Sequence, residues 1–259
     1  MIPGAKQRSG KIIFITGTDT GVGKTLFTGL LLHHLRKSGC HALAIKPFCS
    51  ADRADAKFLR AVQDKELELD EINPFYFSEP VAPLVAARQR RRTIRLPEVL
   101  RRIKGIAARC EWLLVEGSGG LFVPLGRGYS VGELIRRLDC EVIVIARNRL
   151  GTLNHTLLTV SALKHLGRRR IQVVLMTRRQ TDLSSATNKQ ILGELLAPNR
   201  VYAIEFLGKN ASKSGSLEEK CKKVKKTLAR ICGSYNVSTF FAAGGGKQTV
   251  DSRRSTVKL

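Results

Sequence analysis

Long apolar runs, paired cysteines and acidic side chains are what this sequence has least of, and each shortage removes a class of function. No stretch approaches the roughly 20 consecutive apolar residues that a membrane-crossing helix needs. Residues 1–10 hold no apolar segment of signal-peptide length and lead straight into a strand-like run, so a soluble cytoplasmic protein is expected. The six cysteines (Cys40, Cys49, Cys110, Cys140, Cys221 and Cys232) include no C-x-x-C pair and no zinc-like spacing with histidine; reduced thiols account for them. The five histidines form no metal-ligand pattern either, and the adjacent His33 and His34 fall on different faces of a helix. Asp and Glu number 21 against 45 Lys and Arg, a formal charge of +24. That excess attracts polyanions such as nucleotides, nucleic acid or anionic surfaces. A general preference for basic surfaces would produce it equally well, so charge alone assigns no function.

The chain does hold enough apolar residues, 43% of 259, for one substantial core, which suits a single α/β domain with an appendage. Lys11–Gly17 (KIIFITG) is a β-branched and aromatic run bounded by glycine and predicts a buried strand. A helix is expected over Lys24–Lys37, ending near Gly39, then a strand over 42–46 stopped by Pro47, and a helix over Ala54–Val62. Residues 73–83 carry three prolines and read as loop, followed by short helices to about 109. Further strands are predicted over 112–116, 141–146, Ile171–Met176 and 201–204, with helices over 130–138, 155–166 and 184–196. In this reading Ser118-Gly119-Gly120 breaks the strand that begins at Trp112. Fully apolar strands alternating with helices predict a parallel sheet covered on both faces, a three-layer α/β fold. Composition changes near residue 208, which divides a domain of 1–207 from a basic extension of 208–259 carrying 12 basic against 3 acidic side chains. Within it, Leu217, Cys221, Val224, Leu228 and Ile231 recur at helical spacing, so a helix over 217–231 docked on the domain is expected. The glycine triplet Gly244–Gly246 and the polar end read as disordered.

The most specific signal is Gly17-Thr18-Asp19-Thr20-Gly21-Val22-Gly23-Lys24-Thr25, placed between a strand and a helix. Its glycines let the backbone turn so that N–H groups converge on phosphate oxygens, and the helix that follows adds its positive end. Gly21, Val22, Gly23, Lys24 and Thr25 are thus candidates to bind a nucleoside triphosphate, with Lys24 at the β- and γ-phosphates and the Thr25 hydroxyl on Mg2+. Five residues separate Gly17 from Gly23, one more than the usual spacing. Glu116 ends a buried strand, where a carboxylate in such a sheet commonly holds magnesium or its water shell; an edge carboxylate facing solvent is the plainer alternative. Lys46, at the end of the second strand, would be unremarkable alone.

Taken together, the motifs resemble the dethiobiotin synthetase family, a branch of the P-loop NTPases. The resemblance rests on GTDTGVGKT with its long spacing, Lys46-Pro47, Asn73-Pro74 with Phe77, Pro80 and Pro83, Val115-Glu116-Gly117-Ser118-Gly119-Gly120 with Pro124-Leu125, and Leu150-Gly151-Thr152-Leu153-Asn154-His155. These stand in the family's order over about residues 11–205. Proteins related to the cell-division ATPase MinD carry an early second lysine in the loop, where this chain has Asp19. The resemblance implies an ATP- and Mg2+-dependent ligase that makes a cyclic urea from 7,8-diaminopelargonate and CO2 in biotin synthesis. It implies that Lys24 stabilises the transferring phosphoryl group and Lys46 holds a substrate carbamate. Thr25, Asp55 and Glu116 would share magnesium, with Asp52 as the rival of Asp55. Thr20 and Ser50 match positions that contact the diamine or carbamate. Asn154 matches a residue that reaches substrate across a dimer interface, so a homodimer is implied; Asn154-His155 also reads as an ordinary helix N-cap. Two departures fall on the base-binding side. Thr177-Arg178 replaces an Asn-Asp pair whose Asn reads adenine, and Ala203-Ile204-Glu205-Phe206 lacks a proline of the family's later Gly-x-x-Pro element.

A P-loop switch or assembly ATPase with a polyanionic partner is the competing class, favoured by the charge and the altered base side. Lys46, Asp55, Glu116 and Asn154 together favour the enzyme, because a switch needs no carbamate lysine. A related ligase acting on another diamine or amide acceptor is a third reading. Nucleic acid is expected only as a nonspecific electrostatic partner.

Overall fold

The computed structural model describes residues 10–208 and 217–234. In chain order, β1 (Lys11–Gly17) leads into α1 (Lys24–Lys37), β2 (Ala42–Ile45), β3 (Phe48–Ser50), α2 (Ala54–Val62), α3 (Leu69–Ile72), β4 (Phe75–Phe77), α4 (Pro83–Gln89) and α5 (Leu96–Ala107). Then come β5 (Trp112–Gly120), β6 (Pro124–Gly126), β7 (Tyr129–Ser130), α6 (Val131–Arg137), β8 (Cys140–Arg147), α7 (Thr152–His165) and β9 (Ile171–Met176). A 3-10 turn (Leu183–Ala186), α8 (Asn188–Leu195), β10 (Arg200–Ile204) and α9 (Leu217–Gly233) complete the described chain.

Six strands form one parallel sheet in the order β10-β9-β8-β1-β5-β2. The central strands are apolar throughout because both of their faces are covered. Right-handed crossovers place α1, whose connection runs toward β2, on one face, and α5 to α8, whose connections run the other way, on the opposite face. The expected three-layer α/β architecture is thereby realised. Helix α9 packs on α1 with Leu217, Cys221, Val224, Leu228 and Ile231 buried, at the spacing the sequence predicts. The rest of the extension, residues 209–216 and 235–259 with the segment read as disordered, lies outside the described residues. Among the described residues no helix is long and apolar enough to cross a membrane.

This topology decides where a ligand can bind. Connections leave β1 toward β2 on one side, while the chain later runs from β5 past β1 to β8, so a crevice opens at the carboxyl ends of these strands. Register brings the candidate residues to that crevice. Ile15 of β1 lies beside Glu116 of β5, and Ile45 of β2 lies beside Val115, so Lys46 emerges next to Glu116.

Four expectations are corrected. The proline-rich stretch read as loop contains β4, which pairs with β3; Phe75 and Phe77 are buried on either side of half-buried Tyr76, a short alternation hidden between Pro74 and Pro80. Strand β5 continues through Ser118-Gly119-Gly120 after a register shift, because glycine at its end can run close to the loop after β1: a Cβ on Gly120 would lie 3.3 Å from the Thr18 carbonyl oxygen. Helix α7 begins at Thr152, three residues earlier than expected, behind Gly151 in the left-handed conformation. The helix expected over 184–196 divides into the 3-10 turn and α8.

Candidate active site

The phosphate loop leaves β1 at Gly17 and enters α1 at Lys24. Gly21 (φ 69°) and Gly23 (φ 108°) take the left-handed conformation, which lets the chain coil over the start of the helix. Inside the coil the buried Lys24 folds back. Its Nζ donates to the carbonyl oxygens of Asp19 (2.9 Å) and Gly119 (2.8 Å) and, among the described residues, to no carboxylate. Burial lowers its pKa to about 8, with nearby Glu116 opposing and Lys46 adding to the fall.

Below the loop sits a network of opposite charges. Glu116 is 1% exposed; its Oε1 accepts from the Thr25 hydroxyl at 2.7 Å and from Lys46 Nζ at 2.9 Å. Its other oxygen, Oε2, is buried with no hydrogen-bond partner among the described residues. Lys46 also pairs with Asp55, which stands in the first turn of α2. Burial alone would lower the Lys46 pKa; Glu116 and Asp55 outweigh it and hold the ammonium above the ordinary lysine range. Asp52, the rival acid, is engaged otherwise: its Oδ1 accepts from the Ala54 amide at 2.8 Å.

A cavity of about 480 Å³ opens beside this network. Thr20, Lys46, Ser50, Asp55, Ser118 and Gly119 give it a polar side, and residues 80–83 close it with apolar surface. Ser118 was not singled out from the sequence; it donates to the Phe48 carbonyl at 2.7 Å and so ties β5 to β3 across the cavity floor. Cys49 also lines the cavity, but burial pushes its thiol up to about 12 against the opposing pull of Lys46, which leaves no thiolate for nucleophilic work.

Thr177 lies apart from these residues, just past β9. Its hydroxyl oxygen accepts from Asn148 Nδ2 at 3.4 Å, and its amide donates to the Ile204 carbonyl at 2.9 Å. Asn148 in turn donates to the Ser185 carbonyl and accepts from Asn188, a buried amide network with no linear sequence signature. This side has its own cavity of about 700 Å³, shared by Asn148, Thr177, Asp182, Ser185 and Glu205. Asn154 is not brought to either cavity. It lies exposed within the first turn of α7, so it is not the N-cap of that helix, a place taken by Gly151.

Known proteins give this geometry a family. Residues 11–205 match a family model described as an AAA domain. The ATP-dependent dethiobiotin synthetase BioD of Bacillus licheniformis is 41% identical over 170 residues, which span 64% of this chain and 72% of that protein. The chain belongs to the dethiobiotin synthetase family. The enzyme of the same name from Akkermansia muciniphila is 35% identical over 181 residues, 70% of this chain and 85% of its own length. Among solved structures, the MinC:MinD cell division protein complex of Aquifex aeolicus aligns with a TM-score of 0.57 over 95% of this chain and 100% of the other. At 14% identity that likeness shows the fold alone. The relatives are named for ATP.

Proposed function

We propose that this protein is an ATP-dependent dethiobiotin synthetase, a cytoplasmic homodimer acting on 7,8-diaminopelargonate and CO2. The observation that carries the reading is Lys46, a buried ammonium held by Glu116 and Asp55 beside the phosphate-loop lysine and open to a cavity of about 480 Å³. In the family's reaction a substrate amine takes up CO2 and loses a proton to become a carbamate. The carbamate oxygen attacks the γ-phosphorus and ADP leaves. The neighbouring amine then attacks the carbamoyl carbon, and phosphate departs as the ring closes.

The carbamate, the phosphorylated carbamate and the departing phosphate are all anionic, so catalysis requires fixed cations at the reacting atoms and exclusion of water. Lys46 has three N–H donors and uses two on Glu116 and Asp55, which leaves one for a carbamate oxygen. Lys24, with only backbone carbonyls as partners, serves the transferring phosphoryl group. Thr20 and Ser50 on the cavity wall offer hydroxyls to the diamine or carbamate. Asn154 reaches outward from α7, consistent with a role in the site of a second subunit.

The donor set suits magnesium. Two carboxylates, a hydroxyl and an unpartnered buried Glu116 oxygen are hard oxygen ligands, and Mg2+ is usually held by one or two carboxylates together with substrate phosphates. Thr25, Glu116 and Asp55 would hold it, Asp55 being preferred to Asp52 because it already shares the Lys46 cluster. When bound, magnesium neutralises charge on the β- and γ-phosphates.

The decisive assay measures phosphate release from the purified chain. Release is expected only when both diaminopelargonate and bicarbonate are present with Mg-ATP; release independent of the diamine would point to a plain ATPase. Lys24 predicts the pH dependence. Phosphate binding favours the charged ammonium, whose pKa in the free protein is about 8. Nucleotide affinity is therefore complete below that value and should weaken as pH rises above it, which calorimetric titration from pH 7 to 9.5 will show. An affinity that is flat across this range would mean that Lys24 does not meet the phosphates. At the base end, Thr177 offers one hydroxyl where an amide would both donate and accept. Dissociation constants for ATP, GTP and CTP are expected to lie within about tenfold of one another; a strong preference for ATP would show that other groups read adenine.

A further inference from the structure

Two arginines grip the phosphate loop from outside. Arg147 ends β8 and Arg178 follows β9, so two neighbouring strands each deliver a guanidinium to the same place. Their Nη2 groups donate to one acceptor, the Gly21 carbonyl oxygen, at 2.9 and 3.2 Å. Among the described residues, neither arginine, nor Arg149 nearby, forms an ion pair, and Arg147 Nε is buried without a partner. Burial, then Arg178 and Arg149, pull the Arg147 pKa below its ordinary value, and nearby Asp19 opposes the fall without reversing it. The residue that follows or precedes each arginine, Asn148 or Thr177, faces the neighbouring cavity of about 700 Å³ instead.

A planar trans peptide points its C=O and N–H in opposite directions. With the Gly21 oxygen held outward by two charged donors, the Val22 N–H is turned inward, into the coil where phosphate oxygens are to be bound. Gly21, at φ 69° and without a side chain, is otherwise free to rotate that peptide. We infer that Arg147 and Arg178 are positioning residues that clamp the Gly21–Val22 peptide and preorganise the phosphate loop for a polyphosphate chain. Preorganisation strengthens binding by removing the ordering that a ligand would otherwise have to impose. A polyphosphate also relieves the repulsion among three guanidiniums that Asp19 offsets only in part.

The inference rests on the phosphate-loop reading above, and its test separates the two. The full chain is titrated calorimetrically with Mg-ATP and with inorganic tripolyphosphate. The Arg147→Gln/Arg178→Gln variant should bind both ligands about tenfold more weakly, or about 1.4 kcal/mol. Its KM for ATP should rise in step while kcat at saturation and the KM for the diamine stay within about threefold, the pattern of lost ground-state binding. The Arg147→Lys/Arg178→Lys variant, which keeps a charged donor at each position, should recover most of the loss. Arg178→Gln alone, at an exposed position, should weaken both ligands about threefold and serves if the double variant does not fold. Unchanged dissociation constants would overturn the clamp. So would a loss confined to ATP, since the arginines would then be touching the nucleoside. Failure of the unmodified chain to bind either ligand would instead overturn the phosphate-loop reading itself.

Discussion

Replacing Lys24 with Ala should lower turnover by about 100-fold or more, the scale usual for losing a preorganised group that meets developing charge. The fold should survive. Among the described residues Lys24 makes no ion pair: its ammonium rests on the carbonyls of Asp19 and Gly119, and burial lowers its pKa to about 8. Below that pH the protein keeps a desolvated charge that the unfolded chain would solvate, so for this group the folded state is at a disadvantage that rising pH relieves. Removing it costs the packing of its methylene stem and the two hydrogen bonds to the Asp19 and Gly119 carbonyls, while relieving the desolvation of its charge. A buried cation hydrogen-bonded only to carbonyls suits a phosphoryl clamp, because water or a carboxylate bonded directly to it would compete with the γ-phosphate. Steady-state phosphate release and circular dichroism on the same preparation test both halves. Retention of more than about a tenth of normal turnover would remove Lys24 from the chemistry, since clamp losses run well beyond that.

How much of this was legible in the sequence depends on whether the information is local. The phosphate loop is a continuous segment between an apolar strand and a helix, so Lys24 and Thr25 could be named with their expected partners from spacing alone. Lys46 was legible at the end of its strand, whereas Glu116, read as a strand end, lies inside β5, and their contact depends on β2 and β5 being neighbours in that register, which no local pattern encodes. The Asn148–Asn188–Ser185 network and the Arg147–Arg178 pair join segments far apart in the chain, and their residue types are common at surfaces. Short elements were lost for a different reason. Strand β4 has three residues between prolines, too few for periodicity to outweigh the turn signals, and it exists because Phe75 and Phe77 are buried and β3 supplies the pairing. Asn154 looked like a helix start because Asn favours that position; Gly151, which can adopt the left-handed conformation freely, starts the helix earlier.

Replacing Lys46 with Gln should separate carbamate handling from nucleotide binding. Turnover dependent on the diamine is expected to fall about 100-fold, because the amide keeps hydrogen-bonding capacity but loses the charge that opposes a bound anion. Affinity for Mg-ATP should stay within about threefold, since Lys46 lies at the end of β2 and not in the phosphate loop. This variant, unlike Lys24→Ala, should also lose stability. The Glu116 side chain is 0% exposed and, among the described residues, Lys46 supplies its only ion pair, so the substitution strands a buried carboxylate with the Thr25 hydroxyl as its remaining partner there. Removing one member of a buried pair typically costs about 3–5 kcal/mol, and the donor on Gln should keep the loss near about 3 kcal/mol. Asp55, nearly half exposed, can turn to water and adds little to that cost. Urea denaturation measures the stability loss, and calorimetry with kinetics measures the two ligand effects. An equally large fall in nucleotide affinity would place Lys46 among the phosphate ligands. Unchanged turnover, with the expected loss of stability, would make the Lys46–Glu116 pair a structural brace and leave the carbamate without a cation at this end of the cavity.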